Sequence, residues 1–154
     1  MDARLVNPFV DAFATVMPQM GLPEPKRASL TMKQKVVESL GVSVNVGFTK
    51  QIRGNVVYNM SQDTAKYIAS CMMAGMEVDD FDKLAQSAIS EMSNMLTANA
   101  ATHLSSMGLA VDISTPSLFI GEKFQIKVSG EHYLTVGMDL AGHFVELDIA
   151  VREQ

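Results

Sequence analysis

Apolar residues recur at helical spacing in three stretches of the chain, and each stretch is bounded by residues typical of helix ends. Asn7, Ser61 and Asp80 stand at the starts as candidate N-caps, and Pro8 suits a first helical turn. A glycine follows or closes each stretch, as at many helix C-termini. The pattern therefore predicts helices over residues 8–20, 61–75 and 80–108.

Segments rich in β-branched residues, some of them alternating between apolar and polar positions, predict the strands. These strands are expected over residues 28–35, 41–50, 54–60, 109–114, 124–128, 132–140 and 143–151. Arg53-Gly54 and Ala141-Gly142 predict turns that join neighbouring strands into hairpins. Thr115-Pro116 is expected to end the strand before it, because proline cannot donate a ladder hydrogen bond.

The two halves of the chain resemble each other. Each half reads as a helix, a strand, a loop, a second strand and a hairpin strand, which predicts an α+β fold with a pseudo-twofold arrangement. The first helix carries Asn7, Asp11 and Ala14 at the spacing at which the long helix carries Ser87, Glu91 and Asn94. Because Ala14 takes the place of Asn94, a site built on this motif is expected only once.

The long predicted helix has an unusual polarity. Between Leu84 and Met107 the only formal charge is Glu91, whereas an exposed helix of this length normally carries several. At about 100° per residue, the side facing the core is predicted to hold Leu84, Ala85, Ala88, Met92, Met95, Leu96, Asn99 and His103, with Ile89 and Met107 at its edge. The adjoining flank holds Ser87, Glu91, Asn94, Ala98 and Ala101. This nearly uncharged flank, with small residues around Glu91 and Asn94, is expected to dock on another protein.

Composition narrows the class of protein. The 154 residues suit one domain, 1–154, and the net charge of −5 argues against nucleic acid or an anionic membrane as a partner. The single cysteine, Cys71, fits a reducing compartment. A signal peptide is not expected, and no apolar run reaches the roughly 18 residues of a membrane span. The expected location is the cytoplasm.

The spacing on the long helix resembles the signature of a known family. Ser87-x-x-x-Glu91-x-x-Asn94, followed after 21 intervening residues by Pro116, is similar to the pattern of the CheC/CheX/FliY phosphatases of bacterial chemotaxis, and the single motif copy and the chain length most resemble CheX. The resemblance implies a CheC/CheX-like fold, with long helices packed on one face of an antiparallel or mixed sheet.

The resemblance also implies an activity. It implies dephosphorylation of the aspartyl phosphate of a CheY-type response regulator, with Asn94 orienting the attacking water and Glu91 pairing with a lysine of the regulator. A carboxamide can both donate and accept hydrogen bonds, which suits it to position a water. Ser87, Pro116 and Ala98 are supporting positions. The chain is expected to need no cofactor of its own, with Mg²⁺ bound by the regulator, and a homodimer is implied.

Other interpretations of the same residues remain open at this stage. Glu91 can be a solvated surface acid, and Asn94 can be a structural amide. The chain can be a non-catalytic module that binds a response regulator, or a dimerisation domain of the same fold. The three histidines have no metal-like spacing, and Cys71 lies among apolar residues as an inert thiol.

Overall fold

The computed structural model describes residues 2–154. In chain order, the elements are α1 (Ala3–Gln19), β1 (Lys26–Lys50), β2 (Ile52–Met60), α2 (Gln62–Met72), α3 (Lys83–Ser106), β3 (Val111–Ile113), β4 (Ser117–Leu140) and β5 (His143–Glu153). The expected α+β class is confirmed, and all the strand pairings are antiparallel.

The sheet has the pseudo-twofold arrangement that the repeated pattern predicts. A long strand and its hairpin partner follow α1 as β1 and β2, and a second such pair follows α3 as β4 and β5. The long strands pair with each other, and so do the two hairpin strands. The sheet order is β2-β5-β4-β1-β3, and because β1 also pairs with β2, the four longer strands form a closed cycle of pairings.

The long strands correct the sequence prediction. Residues 28–35 and 41–50 belong to one strand, β1, and residues 124–128 and 132–140 belong to one strand, β4. The β1–β4 ladder shifts register between Arg27 and Ser29, between Gln34 and Val36, and between Glu38 and Leu40. At such bulges the alternation of side chains is interrupted although the hydrogen-bonded ladder continues, so the apolar pattern suggests separate strands. The strand expected over 109–114 is confined to Val111–Ile113.

Helix starts also differ from the prediction. The N-cap of α1 is Asp2, whose carboxylate accepts the backbone N–H of Arg4, so Asn7 and Pro8 lie inside the helix. The buried Leu5 extends the apolar stripe towards the N-terminus, which explains the earlier start. The cap of α3 is Asp82 rather than Asp80. Ser61 caps α2 as predicted, although that helix ends at Met72.

Apolar side chains cover the sheet unequally on its two faces. Alternate residues of β1, β2, β4 and β5 join the three helices in one main core. The intervening positions form a smaller cluster on the other face, made of Val37, Val57, Ile126, Val128, Tyr133 and Ala150. Since successive strand residues point to opposite faces, the helices lie on the face that carries the main core.

The long helix is rotated relative to the prediction. Its buried positions are Ala85, Ile89, Met92, Ser93, Leu96, Thr97, Ala100 and Leu104. Leu84 and His103, which were predicted to face the core, are exposed, Leu84 at 60%. The reason is that two polar residues can be buried because their hydroxyls form hydrogen bonds within the helix. The Ser93 hydroxyl donates to the carbonyl of Ile89 at 2.9 Å, and the Thr97 hydroxyl donates to the carbonyl of Ser93 at 2.8 Å.

Hydroxyl burial has a consequence for the rest of the helix. The Thr97 hydroxyl also lies 2.8 Å from the Tyr58 hydroxyl in the core. The flank that holds Glu91 and Asn94 lies outside the buried side of the helix, with Glu91 exposed and Asn94 half-buried.

A buried carboxyl lies between β4 and β5. Asp148 is 1% exposed and stands opposite Thr135, whose hydroxyl donates to Asp148 Oδ1 at 2.7 Å. Among residues 2–154, its Oδ2 has no hydrogen-bond partner. The pKa of Asp148 is raised to about 7, chiefly by burial and also by nearby Glu146, while the hydrogen bond from Thr135 and the charge of Lys33 lower it.

This raised pKa predicts stability that depends on pH. The folded protein holds the Asp148 proton more tightly than the unfolded chain does, so the stabilising contribution is complete below the ordinary pKa near 4 and is lost as pH rises through about 7. The side chain of Asp148→Asn does not titrate. Between pH 5 and pH 8 we therefore expect the free energy of unfolding of the unmodified protein to fall by about 1–3 kcal/mol more than that of the variant. Urea unfolding of both proteins at the two pH values measures this. An equal pH dependence in the two proteins would contradict the assignment to Asp148.

Candidate functional site

One cavity of about 740 Å³ runs along the exposed side of α3. The helix contributes one wall, and the segment from β3 to the start of β4 contributes the other. The lining residues are Lys83, Gln86, Ser87, Ser90, Glu91 and Asn94 on the helix, and Ile113, Ser114, Thr115, Pro116 and Leu118 opposite. This cavity is where the sequence motif lies.

Two polar side chains of the helix wall are free to meet a partner. Glu91 is exposed and Asn94 is half-buried, and since they are three residues apart their side chains are neighbours on the helix surface. Within residues 2–154, the ion pairs are Arg4–Asp2 and Lys50–Asp112, so Glu91 has no cationic partner there. Both side chains can therefore bind groups brought by another molecule.

The opposite wall is fastened to the sheet by Ser114. The backbone N–H of Gly47 donates to Ser114 Oγ at 2.8 Å, and the N–H of Ser114 donates to the Gly47 carbonyl at 2.8 Å. The Ser114 hydroxyl in turn donates to the carbonyl of Thr115 at 3.3 Å. These bonds extend the β1–β3 ladder by one residue and hold the half-buried Pro116 at a fixed place across the cavity from α3.

The structure brings together most of the residues that the sequence singled out. Ser87, Glu91, Asn94 and Pro116 all line the cavity. Ala98 does not line it; this half-buried residue lies about one turn beyond Asn94. The grouping of Pro116 with the helix depends on the fold, because 21 residues separate it from Asn94.

The other lining residues were not predicted from the sequence, namely Lys83, Gln86, Ser90, Ile113, Ser114, Thr115 and Leu118. Ser87, Glu91 and Asn94 share one helical sector, and extending that sector by one turn towards the N-terminus would have found Lys83. Gln86 donates from Nε2 to the carbonyl of Phe81 at 2.9 Å and so stabilises the start of α3. No sequence signal marked Ser114, because its role depends on Gly47 in a distant strand.

The corresponding face of α1 lies beside a separate and smaller pocket of about 410 Å³. Asn7 and Asp11 line it together with His103 of α3 and Met107, which directly follows that helix. Ala14 is exposed on this helix and supplies no carboxamide. The pseudo-symmetric position thus lacks the group that distinguishes the cavity on α3.

Residues 2–154 contain neither a candidate metal-binding cluster nor a candidate membrane-spanning helix. No three His, Cys, Asp or Glu side chains within residues 2–154 are grouped so that they could hold a metal ion. In the same range, no helix is both long and apolar enough to cross a membrane.

Comparison with known proteins gives a consistent result. The family described as "Chemotaxis phosphatase CheX" matches residues 42–139, which include Glu91, Asn94 and Pro116. The chain is 34% identical to the CheY-P phosphatase CheX of Thermotoga maritima over 131 residues, 84% of each chain. It is similar to the protein in the crystal structure of the CheX-CheY-BeF3-Mg+2 complex from Borrelia burgdorferi, with 31% identity, a TM-score of 0.78 and 96% and 97% of the two chains covered. A CheC-like superfamily protein from Shewanella sp. PV-4 shares the fold, with a TM-score of 0.87, 22% identity and 99% of each chain covered.

Proposed function

Because the chain belongs to the CheX family of chemotaxis phosphatases, we propose that it hydrolyses the aspartyl phosphate of a CheY-type response regulator. The observation that carries this proposal is the cavity beside α3, where an unpaired carboxylate and a carboxamide stand together on an exposed surface. The similar CheX protein of Borrelia burgdorferi forms a complex with CheY, which supports a regulator as the partner.

The proposed reaction needs little covalent chemistry from this chain. An aspartyl phosphate is an activated acyl phosphate, and hydrolysis requires a water in line with the bond between phosphorus and the aspartyl oxygen. The water oxygen bonds to phosphorus while the bond between phosphorus and the aspartyl oxygen breaks. The aspartate leaves as a carboxylate, and the water protons pass to the released phosphate and to solvent. Mg²⁺ would be bound by the regulator and would neutralise charge on the phosphoryl oxygens.

Asn94 is the residue proposed to position the water. Its amide oxygen can accept a hydrogen bond from the water, and its NH₂ group can donate one to the water or to a phosphoryl oxygen. An amide is a poor proton acceptor, so its contribution is orientation rather than general-base catalysis. Its half-buried position on a regular helix restricts the side chain, which favours a defined orientation.

Glu91 is proposed to hold the regulator in place. Its carboxylate is one turn from Asn94, so a lysine of the regulator that pairs with it would bring the phosphorylated aspartate within reach of the carboxamide. The small side chains of Ser87 and Ser90 in the same wall leave room for close approach. The homodimer implied by the family resemblance and the expected location in the cytoplasm stay predictions.

The function is tested by phosphate release from a Mg²⁺-loaded, aspartyl-phosphorylated CheY-type regulator with and without the protein. We expect faster release in its presence. Binding without acceleration would favour the alternative interpretation, a non-catalytic regulator-binding module, and neither binding nor acceleration across the regulators of one cell would exclude this class of partner.

Glu91→Gln is expected to weaken regulator binding by about 10-fold, because it removes the charge while keeping the size of the side chain. The rate should fall with it at low regulator concentration and recover in part at saturation. Titration with the beryllofluoride form of the regulator and steady-state kinetics separate the two effects. Glu24→Gln, at an exposed loop position outside the cavity, is the matched control; equal behaviour of the two variants would contradict the anchoring role.

A further inference from the structure

A second charged residue of the cavity has no role in the proposed hydrolysis. Lys83, the first residue of α3, is exposed and lines the same cavity as Glu91. Glu91 lies eight positions after Lys83, which places their Cα atoms about 12 Å apart along the helix axis at 1.5 Å per residue. Ser87 lies midway and carries no charge. The cavity therefore presents one cation and one anion, separated along its length.

Lys83 is unpaired within the described part of the chain. Neither ion pair of residues 2–154 includes it. The acidic residues just before α3 (Glu77, Asp79, Asp80 and Asp82) line a different pocket, and none of them lines the cavity that holds Lys83. Its charge is consequently available on the side where a regulator would dock.

The position of this lysine is also unfavourable for the helix itself. The N-terminus of a helix carries partial positive charge, so a cation in the first turn is unfavourable; the N-cap carboxylate of Asp82 offsets part of this effect, and the first turn itself has no acidic residue. The pseudo-symmetric position on α1 is Ala3, which is uncharged. The stability of the helix therefore gives no reason for a cation at this position.

We infer that Lys83 is a specificity-determining residue that pairs with a carboxylate on the docking surface of the response regulator. This inference rests on the proposed function. Together, Lys83 and Glu91 would select regulators that present an acidic residue opposite the start of α3 and a basic residue about two helical turns further along it. Regulators with a basic residue opposite Lys83 would be rejected by repulsion between like charges.

The test compares Lys83→Glu with Lys127→Glu, an exposed lysine of β4 that lies outside the cavity and changes the net charge equally. The probe is a Mg²⁺-loaded, beryllofluoride-activated CheY-type regulator that the unmodified protein binds, titrated at about 20 and 200 mM salt. We expect Lys83→Glu to weaken binding about 10-fold at low salt and much less at high salt, with the maximal rate of phosphate release unchanged. Lys127→Glu should change binding by less than about twofold.

Restoring regulator binding with a second substitution identifies the group that pairs with Lys83. We expect that reversing the charge of one acidic residue on the docking surface of the regulator restores binding to Lys83→Glu and weakens binding to the unmodified protein. If Lys83→Glu and Lys127→Glu behave alike, or if no reversal restores binding, the inference is wrong. A protein that binds the regulator through Lys83 without releasing phosphate would overturn the proposed hydrolysis but not this inference, and a protein that binds no regulator would overturn both.

Discussion

Asn94→Ala is expected to lower the maximal rate of phosphate release from a phosphorylated regulator by about 100-fold or more, since loss of one positioned polar group in an active site commonly has an effect of this size. The binding of the regulator should change by less than about threefold, because the methyl side chain keeps the helix intact and Glu91 stays in place. The loss would therefore appear in kcat and not in KM. Steady-state phosphate release, with a parallel titration of the beryllofluoride form, measures both quantities.

Asn99→Ala is the matched control. Asn99 is the second asparagine of α3 and is half-buried like Asn94, but it does not line the cavity. We expect it to retain activity within about twofold, since it lies outside the site. Asn94→Asp is a more conservative substitution. It keeps the shape of the side chain but replaces the NH₂ donor by a carboxylate oxygen and places a second negative charge beside Glu91. Full activity in Asn94→Ala would show that the water is positioned by another group.

Gly54→Ala is expected to destabilise the protein by at least about 3 kcal/mol, in the range reserved for severe steric conflict. Gly54 has φ of +156°, and an added Cβ would lie 1.8 Å from the carbonyl oxygen of Ala150 and 3.0 Å from the Phe48 ring. The carbonyl belongs to the backbone of β5, which is held in the ladder with β2, so it cannot turn away as a side chain could. Relief would require β2 and β5 to separate.

The comparison variant is Gly142→Ala, at the turn between β4 and β5. Gly142 also has positive φ, at +93°, but no atom lies within 4 Å of the added Cβ. It should lose only the conformational term of about 1 kcal/mol. Urea unfolding of both variants gives the difference. A Gly54→Ala protein as stable as Gly142→Ala would mean that the two strands can separate locally at little cost.

Much of the site could be predicted from the sequence because it lies on one helix. Three of its residues, Ser87, Glu91 and Asn94, share one side of α3 through local periodicity alone. The near absence of charge from the rest of that helix marked the surface as unusual. The family resemblance added the expectation that Pro116 belongs with them, and the structure places all four on one cavity.

The orientation of the same helix could not be predicted as well. Counting apolar residues placed Leu84 on the core side, but Leu84 is exposed, whereas Ser93 and Thr97 are buried. A hydroxyl that donates to the carbonyl of its own helix can be buried at low cost, so polarity alone does not tell on which side it lies. For that reason the buried side of α3 differs from the predicted one, whereas Ser87, Glu91 and Asn94 lie together as predicted.

The sequence by itself determined the order and type of the main elements, the repeated halves and the spacing of the motif on α3, because each depends on interactions between residues a few positions apart. Only the tertiary structure decided the continuity of β1 and β4 through their bulges, the side of α3 that is buried, and the wall that Ser114 fastens to Gly47. Those features depend on contacts between residues far apart in the chain. Local periodicity carries no record of such contacts, so the cavity between α3 and Pro116 exists only once the sheet has formed.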